Sequence, residues 1–186
     1  MSVQRKGPLL SFVVVVGNPK VASRTRGVAE VVSSALQECV PGAEDRLVID
    51  LADVARELFD PDSSKVEELL ATVAASDLLL VASPTYKASY TGLLKAFFDR
   101  YGNNALASTV AVPLMTGAAP VHALAVELHL RPLLVELGAS VPTRGLYIVE
   151  QQFDALHVVI EPWVDVAAPL ISRALTPRPS ATEGSR

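Results

Sequence analysis

Phe12-Val13-Val14-Val15-Val16-Gly17-Asn18-Pro19-Lys20-Val21-Ala22-Ser23-Arg24-Thr25-Arg26-Gly27 is the stretch on which the reading of this chain turns. A phenylalanine and four valines run without a polar break, as in a strand buried on both faces. Gly17-Asn18-Pro19 then makes a tight turn, and Ser23, Arg24 and Thr25 stand where an amphipathic pattern begins. A helix N-terminus presents unpaired N–H groups and the positive end of a dipole, to which two hydroxyls and a guanidinium add donors. Strand, loop and helix start together form a socket for a phosphate monoester.

Working outward, Val28, Val31, Val32, Ala35, Leu36 and Cys39 fall at helical spacing, which places Cys39 on the apolar, core-facing side, and Pro41-Gly42 ends that helix. Leu9 to Val16 is the expected extent of the first strand and Arg46 to Leu51 of a short second one, with a short helix or loop onward to Leu58. Lys65 to Ala75 reads as an amphipathic helix, and Asp77 to Ala82 as another strand buried on both faces. After Ser83 to Gly92 comes a helix carrying Leu93, Leu94, Phe97 and Phe98 on one side. Thr109 to Met115 is the next strand. A helix follows from Val121 to Leu137, which Pro132 must kink or restart and Gly138 closes as a left-handed cap. Ala139 to Val149 supplies the last strand, and Asp154 to Leu175 the closing helix with Pro162 near its start.

Strands and helices alternate five times, and the strands are continuously apolar, so the fold class is α/β, a five-stranded parallel sheet with helices on both faces. In such sheets ligands sit outside the carboxyl ends of the strands, where strand order reverses. Three post-strand loops, 17 to 25, 83 to 92 and 116 to 122, are expected to converge there. Residues 1–8 and 176–186 are polar and proline-containing without apolar periodicity, the pattern of disordered tails around one domain, 9–175.

With 186 residues, half of them hydrophobic, the chain suits one domain with a substantial core. A net charge of −4 without a basic run excludes nucleic acid as the main partner. One cysteine, and no basic start ahead of a long apolar stretch, point to the cytoplasm; no apolar run approaches the ~18 residues of a membrane span. The first loop has neither the Gly-x-Gly-x-x-Gly spacing of dinucleotide folds nor the Gly-Lys-Ser/Thr of the P-loop. A side-chain phosphate cup, as where FMN meets a flavodoxin-like sheet, remains; the plain alternative is that Ser23 caps a helix and Arg24 is solvated.

Gly17-Asn18-Pro19 with Ser23-Arg24-Thr25, then the run from Ala82 to Lys95 (ASPTYKASYTGLLK), then Thr116-Gly117 with His122-Ala123-Leu124-Ala125, resembles the NAD(P)H-dependent FMN reductases, most of all those serving two-component alkanesulfonate monooxygenases. The likeness runs in order from about Leu9 to about Tyr147. It implies a flavodoxin-like fold, FMN and NADPH or NADH as cofactors, and a cofactor-binding set of Asn18, Ser23, Arg24, Thr25, Pro84, Thr85, Tyr86, Lys87, Thr116 and Gly117. Ser23, Arg24 and Thr25 would hold the phosphate. Pro84 to Lys87 would line the ribityl chain and one ring edge, and Thr116 and Gly117 would offer backbone groups to the ring's polar edge. Two departures stand out: Asn18 where serine is frequent, and Ala118 where a second glycine is common. The resemblance also places Tyr90 in a π-bulged helical turn at a subunit interface and implies a homodimer or homotetramer, with a flavin-dependent monooxygenase as a partner.

Hydride transfer between nicotinamide and flavin requires no protein acid or base, so no catalytic residue is named. An FMN-containing quinone, azo-dye or metal-ion reductase shares every motif. A flavodoxin-like electron carrier would not oxidise NAD(P)H; mild acidity and 5% aromatic residues argue against it. Lys95 and Arg100 are either solvated helix ends or contacts to a 2′-phosphate. His122, His129 and His157 have no partner pattern, no metal-ligand spacing is present, and Trp163 reads as packing.

Overall fold

The computed structural model describes residues 9–175; the two expected tails lie outside the described residues. Five parallel strands, β1 (Phe12–Val16), β2 (Arg46–Asp50), β3 (Leu78–Pro84), β4 (Val110–Gly117) and β5 (Leu146–Val149), lie in the order β2-β1-β3-β4-β5. This is the flavodoxin-like arrangement, and its reversal of strand order falls between β1 and β3. Register is continuous across the centre: Val16 pairs with Asp50 on one side and Ala82 on the other.

Alternation along β1 divides the core in two. Val13 and Val15 join Leu79, Val81, Ala111 and Met115 on the face covered by α2 (Ser64–Ala74), α3 (Gly92–Phe98) and α4 (Arg131–Glu136). Phe12, Val14 and Val16 face the other way with Leu80, Val112 and Leu114, beneath α1 (Arg24–Cys39) and α5 (Leu156–Leu175). Both faces of β1 are sealed, which is why its sequence has no polar alternation.

Hydroxyl caps set the helix starts. Arg26 N donates to Ser23 Oγ (3.2 Å), Val66 N to Ser63 Oγ (3.4 Å) and Leu94 N to Thr91 Oγ1 (3.1 Å). Thr91 N donates to Ser83 Oγ (3.1 Å), and the Thr91 hydroxyl donates to the Gly17 carbonyl, tying the loops after β1 and β3 together. A Cβ on Gly17 would lie 2.6 Å from Leu94 Cβ, so the bare backbone there lets α3 approach the end of β1.

Several expectations are corrected. β1 begins at Phe12 rather than Leu9. The helix expected over 121–137 is three pieces: a 3-10 turn at Pro120–His122, a π-helical turn at Val126–Leu130, and α4. Pro132 lies in the first turn of α4, directly after the π turn, with which α4 is continuous. The π turn lies here, and Tyr90 sits instead in the loop before α3, partly buried against the core. Gly138 does close the helix with φ +90°. Cys39, expected in the core, is exposed at the last residue of α1, and the residue after it, Val40, is the buried one. Leu94, Phe97 and Phe98 are buried in the core, and Leu93 packs against it partly exposed. Pro162 and Pro169 both lie inside α5, whose Ile160, Val164, Ala167, Ala168 and Ile171 pack on the sheet. The run from Glu150 to Leu175 is long and apolar enough to cross a membrane by length and composition, and here it serves as a covering helix.

β5, expected from Ala139, is only four residues long, and Pro113 explains why. Ala111 N donates to Ser140 O (2.8 Å), so by strand alternation Pro113 also faces that side and has no N–H to give. Strand pairing resumes only at Leu114 with Leu146. In the gap, Arg131 of α4 donates to Val141 O (2.8 Å) and to Thr143 O, while Gly145 N donates to Glu127 Oε1 (2.6 Å). Glu127 and Arg131 are themselves paired one helical turn apart (2.5 Å). Side chains thus serve backbone groups that a longer strand would have satisfied. Arg131 holds the Glu127 carboxyl below the usual carboxylate range, against the opposing effect of partial burial.

Candidate functional site at the carboxyl edge of the sheet

A cavity of about 370 Å³ opens at the carboxyl ends of β1, β3, β4 and β5. Its size is that of a small-molecule site. Asn18, Ser23, Arg24, Thr25, Pro84, Thr85, Tyr86, Thr116 and Gly117 line it, nine of the ten residues singled out from the sequence. Lys87 does not. It lies at the tip of a turn closed by Tyr86 N to Ser89 O (2.8 Å) and Ser89 N to Tyr86 O (3.1 Å), with Lys87 and Ala88 both at positive φ (50° and 64°). Positive φ is uncommon for non-glycine residues, and this tight turn leaves Tyr86, 45% exposed, lining the cavity with Lys87 outside the lining.

The loop after β1 is shaped from within. Lys20 N donates to Asn18 Oδ1 (2.9 Å), and Asn18 Nδ2 donates to Thr25 Oγ1 (3.2 Å). Thr25 Oγ1 and Thr116 Oγ1 share a bond of 2.9 Å across the sheet end. Asn18, Thr25 and Thr116 are all buried, so this network locks the β1 loop to the end of β4. Asn18 and Thr25 are therefore framework, and Ser23 is at once cap and cavity wall. Ala22, at φ 50°, turns the chain so that Ser23 and Arg24 open α1 toward the cavity.

Arg24 is not simply solvated. Its Nη1 donates to Glu150 Oε2 (3.1 Å) and its Nη2 to Glu150 Oε1 (2.7 Å), and the guanidinium carbon stands 5.6 Å from the centre of the Phe153 ring. Glu150 and Phe153 follow β5 and line the cavity, as do Lys20, Val21, Ala22 and Ala118. The sequence reading missed the β5 contribution, because Glu150-Gln151-Gln152-Phe153 resembles no motif. The signal available was the strand-end rule itself, which applies to β5 as much as to β1, β3 and β4.

At the far end, Thr85 Oγ1 is buried with no hydrogen-bond partner among the described residues, and Thr85 N donates to Thr116 O (2.7 Å). Beside it, a Cβ on Gly117 would fall 1.9 Å from the Tyr147 hydroxyl, which donates to Ala119 O (3.1 Å). Gly117 is therefore required for close packing, and its neighbourhood is bare backbone. The cavity offers a guanidinium and a helix N-terminus at one end and an unused hydroxyl with exposed backbone at the other. That arrangement suits an elongated ligand with an anionic tail and a flat polar head.

Other candidates lie elsewhere. Arg100 donates to Leu58 O and Asp60 O (both 3.1 Å) and to Glu67 (2.5 Å), so it fastens α3 to the loop ahead of α2 and to α2 itself. Lys95 pairs with Asp99. His122, His129 and His157 are exposed, and Trp163 Nε1 donates to Arg144 O (3.1 Å).

Comparison with known proteins agrees with this geometry. A reductase from Pseudomonas aeruginosa, "FMN reductase (NADPH)", is 36% identical over 155 residues, covering 81% of this chain and 82% of its own. "NADH-dependent FMN reductase SfnF" of Pseudomonas putida is 33% identical over 156 residues, 81% and 83% of the two chains. Among solved structures, the apo form of the NADH:FMN oxidoreductase EMOB superposes with a TM-score of 0.78 at 32% identity, covering 92% of each chain. An archaeal flavodoxin at 15% identity and TM-score 0.56, covering 88% of this chain and 99% of its own, shares the fold. Residues 10–154 match the model of the NADPH-dependent FMN reductases, and the chain belongs to that family.

Proposed function

We propose that this chain transfers hydride from NADPH or NADH to FMN, receiving the flavin in the cavity at the sheet's carboxyl edge. One observation carries the reading: three loops far apart in sequence, each picked out by its residues, line a single cavity at the reversal of strand order. The residues fit the group. Arg24 and the first turn of α1 meet the phosphate, and the unpartnered Thr85 hydroxyl gains a partner on the ribityl chain or ring edge. The backbone at Gly117 and Ala118 faces the ring's polar edge, where N–H donors favour the negative charge of the reduced flavin. The bound flavin ring supplies the redox chemistry, and the protein contributes alignment and exclusion of water. Tyr86 flanks the mouth by which the nicotinamide enters.

Reduced flavin leaving the cavity serves a flavin-dependent monooxygenase in this reading, and the enzyme works as a homo-oligomer. Val121, Leu124 and Leu128, 78%, 65% and 65% exposed in the segment after β4, support a second copy as the cover for that stripe.

The test is NAD(P)H oxidation by the apo-protein as FMN is raised from below to well above the protein concentration, with no quinone present. The expected rate keeps rising past one FMN per subunit, and anaerobically the excess flavin is reduced. A plateau at one equivalent, relieved only by a quinone or dye, assigns the chain to reductases that retain FMN. No oxidation despite FMN binding leaves an electron carrier.

A further inference from the structure

We propose that Glu150 competes with the flavin phosphate for Arg24 and thereby keeps FMN dissociable; the proposal rests on the function just stated. Both Nη atoms of Arg24 already serve Glu150, at 3.1 and 2.7 Å, and Phe153 lies against the guanidinium, so the fork meets an incoming phosphate neutralised on one edge. The carboxylate lines the same cavity as Ser23, Arg24 and Thr25. A phosphate dianion reaching Arg24 must therefore either displace Glu150 or bind beside it. The first outcome forfeits an existing charge-assisted pair, and the second places like charges close together.

The pair is built to yield. Its side chains are 69% and 40% exposed, and exposed ion pairs contribute little to stability, so Glu150 can leave and return without disturbing the fold. Its effect falls on the ligand. The cavity recognises the phosphate through Arg24 yet holds it loosely, as a protein must when flavin is exchanged at each turnover. A prosthetic-group site would gain from an unopposed arginine at this point. Glu150 reaches the site from the end of β5, and its side chain takes no part in the bonds among Asn18, Thr25 and Thr116, so its charge can be altered without dismantling the loop after β1.

The test compares FMN and riboflavin binding to apo-protein, read by quenching of flavin fluorescence, in the wild type, Glu150→Gln and Arg24→Ala. Glutamine keeps the size and a hydrogen bond to Arg24 while removing the charge. The expected result is FMN affinity about tenfold tighter in Glu150→Gln, with riboflavin affinity unchanged. KM for FMN should fall with it while KM for the nicotinamide stays, and added salt should shrink the difference. Unchanged or weaker FMN binding in Glu150→Gln would overturn the proposal and leave Glu150 as a residue that orients Arg24. Glu150→Ala, checked by thermal melting, gives the same reading should the glutamine variant misfold. Arg24→Ala separates the two levels: loss of FMN affinity without loss of riboflavin affinity upholds the phosphate site even where Glu150 proves inert. If neither variant separates the two flavins, both this proposal and the phosphate role of Arg24 fail.

Discussion

Replacing Thr116 by valine keeps the β-branched shape at the end of β4 and removes one hydroxyl from the site's framework. Thr116 Oγ1 lies 2.9 Å from Thr25 Oγ1, and the two residues are 4% and 2% exposed, so the bond that is lost is a buried one. Thr25 keeps the bond that Asn18 Nδ2 donates at 3.2 Å, so the net loss is one buried hydrogen bond, about 0.5–1.5 kcal/mol. In a domain of this size a loss of about 1 kcal/mol lowers Tm by about 2–4 °C. Thr25→Val should cost more, about 1–3 kcal/mol, because it also strands the buried Asn18 amide. The double variant then costs less than the sum of the singles, since the second substitution finds the shared bond already gone. Urea unfolding of the apo-proteins at unchanged m-value measures all four corners of the cycle. Additivity within about 0.3 kcal/mol would refute the coupling, and with it the claim that the loop after β1 is locked to β4 through these hydroxyls.

Gly117→Ala should damage the site more than the fold. The new Cβ would sit 1.9 Å from the Tyr147 hydroxyl and 2.8 Å from its Cζ, so the ring must move and its bond to Ala119 O is lost; flavin titration should show a large loss of affinity beside a modest change in Tm. Glu127 predicts a pH signature. Its folded pKa is held down by Arg131, so its contribution is complete above the ordinary carboxylate range and disappears as pH falls through the depressed value. The stability gap between wild type and Glu127→Gln, measured by denaturation, should be widest at neutral pH and close in acid; a gap that widens in acid would contradict the pairing.

The sheet was legible because three of its strands are buried on both faces and say so in unbroken apolar runs, and the helices because their apolar residues recur at helical spacing, as Val28, Val32 and Leu36 do in α1. Less could be read where a residue's role depends on a distant partner. Cys39 keeps the apolar spacing of α1, yet at the helix end it is Val40 that enters the core. Thr25 has the chemistry of a phosphate ligand, and only the register of β4 reveals that Thr116 already shares its hydroxyl. Glu150 and Phe153 escaped because their segment is polar and featureless. The irregular helix after β4 was legible at Pro132 but not in its π turn, which is tied by Glu127 to a backbone amide 18 residues away.

The break in β5 opposite Pro113 also decides what holds the edge of the sheet. Gly145 N is protected by a carboxylate on the π turn and not by a neighbouring strand, so its amide should exchange with solvent when that clamp opens, well before β1, β3 and β4 do. Residues 141–145 hang on side chains of the π turn and α4, so the anchorage of β5, and of the cavity wall that carries Glu150, passes through that irregular helix as well as through β4.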